Sequence, residues 1–487
     1  MQKVAAHGAF AVVAIAFVIV AAALARHGVV QHQSFKAFYC AGEAVRERRD
    51  PYRVEPLRSC ERRVAAIDAP EGYVEPAPLP GYALVPFAAL AALPVRTAAL
   101  LFAVLLALAS VAAAWFLAAA LRAPPAAVLL AFAPLAFLNA AYGEIPPFAV
   151  LGICAAAYCL RTERWNLAGI VVCGALLQPN VGVPAALACL ICVPRARRAL
   201  VATTLVLAGI SLAVLGVAGN AEYFGAVLPL QAGAELAASD QYSLARLLVV
   251  AGVAPDASLL VAKLAFAVMV AVGVVLAGVI AVRLRSPEAV PLIPPAAVLL
   301  GGIYVHDIQM LFALPAALFV AARLRGPLAE TLGITALALL IAVWTQRAAR
   351  AVLVLDALGV AAGVLAVASR ADRVRALARA ATAAVAVTAC VIVFQRAAPP
   401  VPTSQIVTAP FGASADELAP AAWARYLQAT PALRRPELVL KLPTWFGLVL
   451  LLLASLQLGL ARRSDEGGEE LTPARSARRE PPLASAS

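Results

Sequence analysis

The sequence predicts an all-α fold: a polytopic transmembrane helical bundle of about fourteen spans with a long first extracytoplasmic loop. Apolar residues make up 63% of the 487 residues and charged residues only 14%, a balance that few water-soluble folds require. Apolar runs long enough to reach across a bilayer recur along the whole chain. Because successive helices in lipid share one body, we expect one membrane domain over residues 1–460.

The expected spans include three short apolar runs, 146–160, 166–177 and 180–193. Pro179 and Pro184 fall in this stretch and favour a broken region, so half-helices or re-entrant segments are expected there. The other spans are expected at 6–25, 97–121, 125–141, 199–218, 258–282, 289–305, 308–322, 330–346, 349–369, 380–396 and 443–460.

Basic residues mark every second connection between the apolar runs, as at Arg122, Arg195 and Arg323. Lys and Arg are retained in the cytoplasm, so both termini are predicted to be cytoplasmic in a multi-pass protein of a bacterial inner membrane. The basic loop 31–80 departs from this pattern but is long enough to be translocated regardless of its charge. The net charge of +12 is therefore a topology signal, and no nucleic-acid partner is expected. Residues 461–487 are charged and rich in Pro, Ser and Ala, which predicts a disordered cytoplasmic tail.

The first outer loop carries aromatic residues at helical spacing from Phe35 to Val45, which predicts an interfacial helix on the outer leaflet that ends at Asp50-Pro51-Tyr52. A second apolar stretch, Pro78–Pro94, is expected to be re-entrant. Cys40 and Cys60 lie in the same loop, in an oxidising compartment under this topology, and a disulfide between them is predicted. Two unpaired thiols are the alternative.

Polar residues gather in the connections assigned to the outer face, several of them within a few residues of apolar helix ends, where a bare charge is costly. Three carboxylates are candidates for a catalytic base, because burial near lipid raises a carboxylate's pKa towards a useful value: Glu144, Asp307 and Asp50. The candidate substrate-binding residues are Tyr39, Tyr52, Gln178, Asn180, Asp240, Gln241, Arg246, His306 and Arg347. An exposed loop side chain or an interface anchor is the alternative for each.

The order of these pieces resembles the GT-C polytopic mannosyltransferases of glycosyltransferase family 87, which use polyprenyl-phosphate-mannose. The resemblance spans most of residues 1–325. It rests on Phe35-x-x-Phe38-Tyr39-x-Ala41, Asp50-Pro51-Tyr52, Pro78–Pro94, Tyr142-Gly143-Glu144, Leu177-Gln178-Pro179-Asn180, Asp240-Gln241-Tyr242-Ser243-Leu244-Ala245-Arg246 and His306-Asp307.

The resemblance implies an inverting hexosyltransferase that moves a hexose, with mannose expected, from a polyprenyl-phosphate-linked donor to a lipid or glycan acceptor on the extracytoplasmic face. Membrane lipids are the other expected partners. Such chemistry needs a base and groups that hold the leaving phosphate, but no nucleotide. The chain has no P-loop and no Gly-x-Gly-x-x-Gly opening a strand–helix unit, and no cofactor is expected. Its four His residues and scattered carboxylates show no metal-ligand spacing.

The sequence also departs from the family pattern. Ser34 stands where these enzymes have an acidic residue, Glu144 replaces a Gln, and Gln178 replaces a Lys. A catalytically inactive relative is therefore one alternative. A transporter or flippase of a lipid-linked sugar is another, because many helices and short segments also describe transporters. Transport needs polar groups that reach both faces of the membrane, whereas the polar residues of this sequence lie mainly in the connections assigned to the outer face.

Overall fold

A computed structural model of the protein describes residues 2–28, 33–64, 74–238, 241–344, 350–368, 373–397, 412–429 and 436–460. Within these ranges the regular secondary structure is helical, with no β-strand, and the predicted all-α bundle is confirmed. In chain order the α-helices are α1 Gln2–Gly28, α2 Gln33–Arg46, α3 Val54–Val64, α4 Gly81–Leu90, α5 Val95–Leu121, α6 Pro125–Tyr142, α7 Pro146–Arg161, α8 Trp165–Val171, α9 Pro179–Cys192, α10 Arg197–Glu222, α11 Leu228–Ala234, α12 Leu244–Val250, α13 Pro255–Arg283, α14 Ala289–Val298, α15 Ala313–Ala321, α16 Pro327–Ile341, α17 Arg350–Val367, α18 Arg373–Ala397, α19 Ala419–Ala429 and α20 Pro436–Leu460.

Within the described residues every expected span coincides with helix, although two helices end several residues before the predicted boundary. The run 289–305 is helical only to Val298, and 330–346 only to Ile341. Among the described residues, seven helices are long and apolar enough to cross a membrane: α5, α6, α10 with its continuation to Ala237, α13, α17, α18 and α20. The protein is therefore a polytopic membrane protein.

The outside of the bundle is apolar. Large hydrophobic side chains such as Val217 on α10, Val282 on α13 and Val385 on α18 are exposed. In water, so much exposed apolar surface would be costly. In a bilayer it is matched to the hydrocarbon, and these helices supply the lipid-facing surface.

The short helices α7 to α9 pack through small residues. A Cβ atom at Gly182 of α9 would lie 2.1 Å from the carbonyl oxygen of Ala175, so only glycine permits this approach. The chain breaks at Gln178, which has non-helical backbone angles between the 3₁₀ turn Val172–Leu177 and α9. Pro179 opens α9, as expected for a broken region. Pro184, however, lies inside α9, so the expectation that it marks a break was wrong.

The first outer segment is folded onto the bundle. Helix α2 packs its aromatic face on α4, with the rings of Phe38 and Phe87 5.1 Å apart. Phe38 is buried, so protein covers this face of the predicted interfacial helix. The helix ends at Arg46, earlier than expected, and Arg48 has a left-handed backbone conformation ahead of Asp50. A disulfide joins Cys40 of α2 to Cys60 of α3, with 5.6 Å between their Cα atoms.

Two predicted basic clusters meet at one end of the bundle. Arg161 ends α7 and Arg323 follows α15, and their guanidinium groups lie 3.4 and 2.5 Å from the fully buried carboxylate of Glu288. These three residues define the Arg323 end. The opposite end, where α7 begins and α6 terminates, is called the His306 end. Basic residues from separate connections therefore share a face, as the topology prediction requires.

Candidate functional site

The site is built around an interruption between α14 and α15. After α14 the chain runs through Tyr304 to His306 and re-enters helix as the 3₁₀ turn Asp307–Phe312. Gln241 pairs with this segment across the bundle, because its Oε1 accepts the Val305 N–H at 3.0 Å. The amide nitrogen of Gln241 also lies 2.8 Å from Nε2 of His306. His306 is thereby held in a fixed position at the His306 end.

A buried carboxylate lies beside this histidine. Glu235 has its Oε2 atom 3.5 Å from Nε2 of His306. Its Oε1 atom accepts from the Gln231 amide at 2.7 Å and from the Trp423 indole at 3.0 Å. Three segments far apart in sequence therefore meet at one carboxylate, which is only 5% exposed.

A lysine from the last described helix completes this side. Nζ of Lys441 donates to the carbonyl oxygen of Gln241 at 2.7 Å and lies 5.5 Å from the centre of the Tyr242 ring. Lys441 is also buried. A cation and a carboxylate are therefore both held in a low-dielectric region beside Gln241, where electrostatic interactions are strong.

The broken region before α9 reaches the same place. Gln309 accepts from the His306 N–H at 3.1 Å and donates to Oε1 of Gln178 at 2.7 Å. The side-chain amide of Asn180 donates to the carbonyl oxygen of Tyr304 at 3.0 Å. The structure thus brings Gln178, Asn180, Gln241 and His306 together, as one site requires.

The end of α6 adds two more polar positions. Asn139 is fully buried, and its amide donates to the carbonyl oxygen of Ile308 at 3.0 Å. Within the described part of the chain, Oδ1 of Asn139 has no hydrogen-bond partner. Asp307 next to Ile308 is also buried, and its Oδ1 accepts the Ile308 N–H at 2.8 Å.

Glu144 follows the left-handed cap of α6. A Cβ atom at Gly143 would lie 2.6 Å from Cβ of Phe35, so the turn rests against the start of α2. The N–H of Glu144 donates to the carbonyl oxygen of Asn139 at 2.9 Å, and the Glu144 residue is half-buried. This backbone bond joins the Glu144 turn to the residue that contacts Ile308.

Asp50 has partners in a neighbouring network. Its carboxylate accepts the Tyr52 N–H at 2.9 Å and pairs with Arg53 at 3.1 Å. Arg53 also pairs with Glu222 at 2.5 Å. The Tyr52 hydroxyl donates to the carbonyl oxygen of Leu79 at 2.6 Å, and burial, followed by the nearby Tyr223 and Asp50, raises its pKa. The turn thus joins the first outer segment to the end of α10.

Two other candidates bond to backbone carbonyls. The Tyr39 hydroxyl donates to Leu93 at 2.9 Å, and burial raises its pKa, with a further contribution from Glu43. The buried Arg246 donates to Leu236 at 2.6 Å. Asp240 and Arg347 lie outside the described residues.

A second acidic group lies near the start of α2. Glu61 is buried and accepts from the N–H of Glu75 at 3.1 Å, with Nζ of Lys36 3.9 Å away. Burial raises the pKa of Glu61 to about 8. The nearby Lys36 lowers this pKa, and the nearby Glu75 raises it. The Ser34 hydroxyl donates to the Glu75 carboxylate at 3.5 Å. Acidic groups therefore lie beside the serine that departs from the family pattern.

Sequence reasoning missed several of these residues. Glu235 and Trp423 lie 188 positions apart, and Gln241 and Lys441 lie 200 apart. No local spacing links such pairs. Asn139 could have been recognised as a lone amide near the end of an apolar span, where an unpaired polar group is costly.

One comparison with known proteins gave a match. The sequence model of glycosyltransferase family 87 matches residues 80–315, a range that contains Glu144, Gln178, Gln241 and His306. The comparison with curated proteins and with solved structures gave no match. Over residues 80–315, this polytopic membrane protein is similar to glycosyltransferase family 87, and that similarity supports a membrane glycosyltransferase.

Proposed function

We propose that the protein transfers a hexose, with mannose expected, from a polyprenyl-phosphate-linked donor to a lipid or glycan acceptor. The reaction is placed at the His306 end, which the charge pattern assigns to the extracytoplasmic face of a bacterial inner membrane, with both termini cytoplasmic. The observation that carries the proposal is the convergence of α6, α9 and the 304–309 segment through Asn139, Gln178 and Gln309.

A lipid-phosphate donor suits this position. Its chain stays in the bilayer while its phosphate and sugar lie at the membrane surface, level with the helix ends that carry the polar residues. No nucleotide is needed, because the lipid phosphate is itself the leaving group. The amides of Gln178 and Asn180 and the buried cation Lys441 are the groups proposed to bind the phosphate or the sugar.

In the proposed reaction the acceptor hydroxyl oxygen forms a bond to the anomeric carbon of the donor. The bond from that carbon to the phosphate oxygen breaks, and its electron pair leaves with the phosphate. The hydroxyl proton passes to a carboxylate.

Glu144 is the preferred base because it is half-buried in a turn between two apolar helices, close to Asn139. Asp307 is the second candidate, although one of its oxygens already accepts a backbone N–H. Asp50 is the third, and its ion pair with Arg53 favours a structural role.

Transport of a lipid-linked sugar is the competing function. Between the two ends of the bundle, helices α14 and α15 consist of buried apolar residues. The Arg323 end has its own ion pair between Arg323 and Glu288. A continuous polar path would favour transport, whereas polar residues concentrated at one end favour transfer.

The direct test is transfer of labelled mannose from polyprenyl-phosphate-mannose by the purified protein in liposomes, with a lipid extract supplying acceptors. Label in a new lipid or glycan product supports the proposal. Label that crosses the bilayer still attached to its polyprenyl phosphate, with no new product, supports transport instead.

A further inference from the structure

A cavity of about 210 Å³ opens at the Arg323 end, away from the candidate transfer site. Helices α15, α16, α17 and α18 surround it. Helix α15 follows directly from the turn that begins at Asp307, and it reaches Ala321 on the cavity wall. The length of this helical segment therefore separates the cavity from the His306 end.

The cavity is lined by cationic side chains. Arg325, Arg375 and Arg379 contribute three positive charges, and Glu330 contributes one negative charge. Arg379 pairs with Glu330 at 2.7 Å. Among these four lining groups the guanidiniums outnumber the carboxylate, so the lining is cationic and favours an anion. Arginine suits phosphate oxygens because its planar guanidinium presents several donors in a fixed fork.

Arg325 is held in position by the end of α15. Its Nη1 atom donates to the carbonyl oxygens of Ala322 and Leu324 at 3.3 and 3.2 Å. The carbonyl groups at a helix C-terminus stabilise a cation there. The guanidinium is thereby fixed at the end of α15, although the residue is exposed.

The rest of the lining is apolar. Leu324, Ile334, Val364 and Val367 form part of the wall. A free phosphate ion makes no favourable contact with this apolar wall. An acyl chain, by contrast, can leave the bilayer hydrocarbon and pack against the wall, which is equally apolar. Arginine side chains at helix ends, next to apolar wall, match the junction between the headgroups and the hydrocarbon of a bilayer.

We propose that this cavity binds the phosphate headgroup of an anionic phospholipid in the leaflet at the Arg323 end, with part of an acyl chain against the apolar wall. Arg325 and Arg375 contact the phosphate, while Arg379 and Glu330 hold α18 against α16. This lipid is neither donor nor acceptor in the transfer reaction, because its site lies at the other end of the bundle.

Native mass spectrometry of the full-length protein in detergent tests this proposal, with dioleoyl phosphatidylglycerol and dioleoyl phosphatidylcholine as probes. The wild type is expected to bind phosphatidylglycerol more tightly. With a contribution of about 1 kcal/mol per arginine near a membrane surface, Arg325→Gln with Arg375→Gln weakens that binding roughly tenfold to thirtyfold. A charge-matched control, Arg164→Gln with Arg198→Gln, alters exposed arginines at the same end outside the cavity and leaves the binding unchanged.

A second variant distinguishes the contribution of the cavity's shape from that of its charge. Ala376→Leu adds volume to the wall without changing any charge, and it is expected to weaken phosphatidylglycerol binding. Equal binding of the two lipids by the wild type, or equal loss of binding in the control pair, would overturn the proposal. So would full displacement of the lipid by millimolar inorganic phosphate, since that identifies a site for a soluble anion.

Discussion

The side-chain amide of Asn139 donates to the carbonyl oxygen of Ile308 at 3.0 Å, and this bond fixes the end of α6 against the segment that carries His306 and Asp307. Asn139 and Ile308 both lie in apolar surroundings, and Asn139 is fully buried. Since Glu144 is joined to Asn139 through its backbone, the bond also relates the preferred base to the histidine segment.

Replacing Asn139 by alanine is expected to destabilise the protein by about 1–3 kcal/mol, because the carbonyl group of Ile308 loses its donor in a buried environment. Transfer activity falls as well, since the two segments lose their connection. Ser110→Ala is the matched control: this buried hydroxyl bonds within its own helix, to Leu106. Thermal unfolding in detergent measures both variants, and equal stability of the two would refute the role given to Asn139.

Glu61 predicts a dependence of stability on pH. Its pKa in the folded protein, about 8, lies above the ordinary value of 4.5, so the folded state holds this proton more tightly than the unfolded state. The resulting stability is fully present below about pH 4.5 and is lost as the pH rises through about 8. Glu61→Gln cannot ionise, so it should remove much of the fall in stability between pH 5 and 8, on the order of a few kcal/mol.

Unfolding temperatures of wild type and Glu61→Gln across that pH range provide the measurement. Glu47→Gln is the control, because Glu47 is an exposed carboxylate directly after α2, in the same outer segment as Glu61. Parallel pH profiles for wild type and Glu61→Gln would show that Glu61 is not the group that titrates.

The disulfide predicts a stability difference under reducing conditions. Cys40 and Cys60 are separated by 20 positions, and closing such a loop typically stabilises a fold by about 2–4 kcal/mol. Replacing both by serine should lower the unfolding temperature and weaken the packing of α2 on α3. Cys390→Ser, at an exposed position on α18, should have little effect. A wild type whose unfolding is insensitive to reductant would contradict the prediction.

The predicted topology can be tested by labelling single cysteines in intact cells, in a variant whose remaining free cysteines are replaced. A cysteine at Ser59, in the first outer segment, should react with an impermeant maleimide. A cysteine at Arg198, in the first turn of α10, should react only after the cells are opened. Labelling of position 198 in intact cells would reverse the orientation and move the proposed site to the cytoplasmic face.

The helical bundle could be predicted because spans depend on local composition. Each expected span is a predominantly apolar run, and lipid leaves such a run few alternatives to helix. The exception at Pro184 has a local reason, because proline removes one backbone donor without ending a helix that neighbouring helices support. The covering of Phe38 by α4 was not predicted, since an apolar helix face has the same pattern whether it faces lipid or protein.

The site was only partly predictable for a related reason. Gln178, Asn180 and His306 border helix ends, so their sequence positions alone placed them on one face. Glu235 and Lys441 gain their importance from contacts with residues far away in sequence, and a single sequence contains no signal for such contacts. Asp50 could be placed in the first outer segment, but its ion pair with Arg53 became evident only from the structure.

The most direct test of the account is transfer of labelled mannose from polyprenyl-phosphate-mannose by Glu144→Gln in liposomes, with Glu163→Gln, an exposed carboxylate near the end of α7, as the control. Losing a general base should lower transfer roughly 10²–10⁴-fold while leaving expression and unfolding temperature unchanged. The control should retain wild-type transfer. Full activity of Glu144→Gln would contradict the assignment of Glu144 as the base and leave Asp307 or Asp50 as the candidates. Absence of mannose transfer by the wild type would contradict the proposed donor itself.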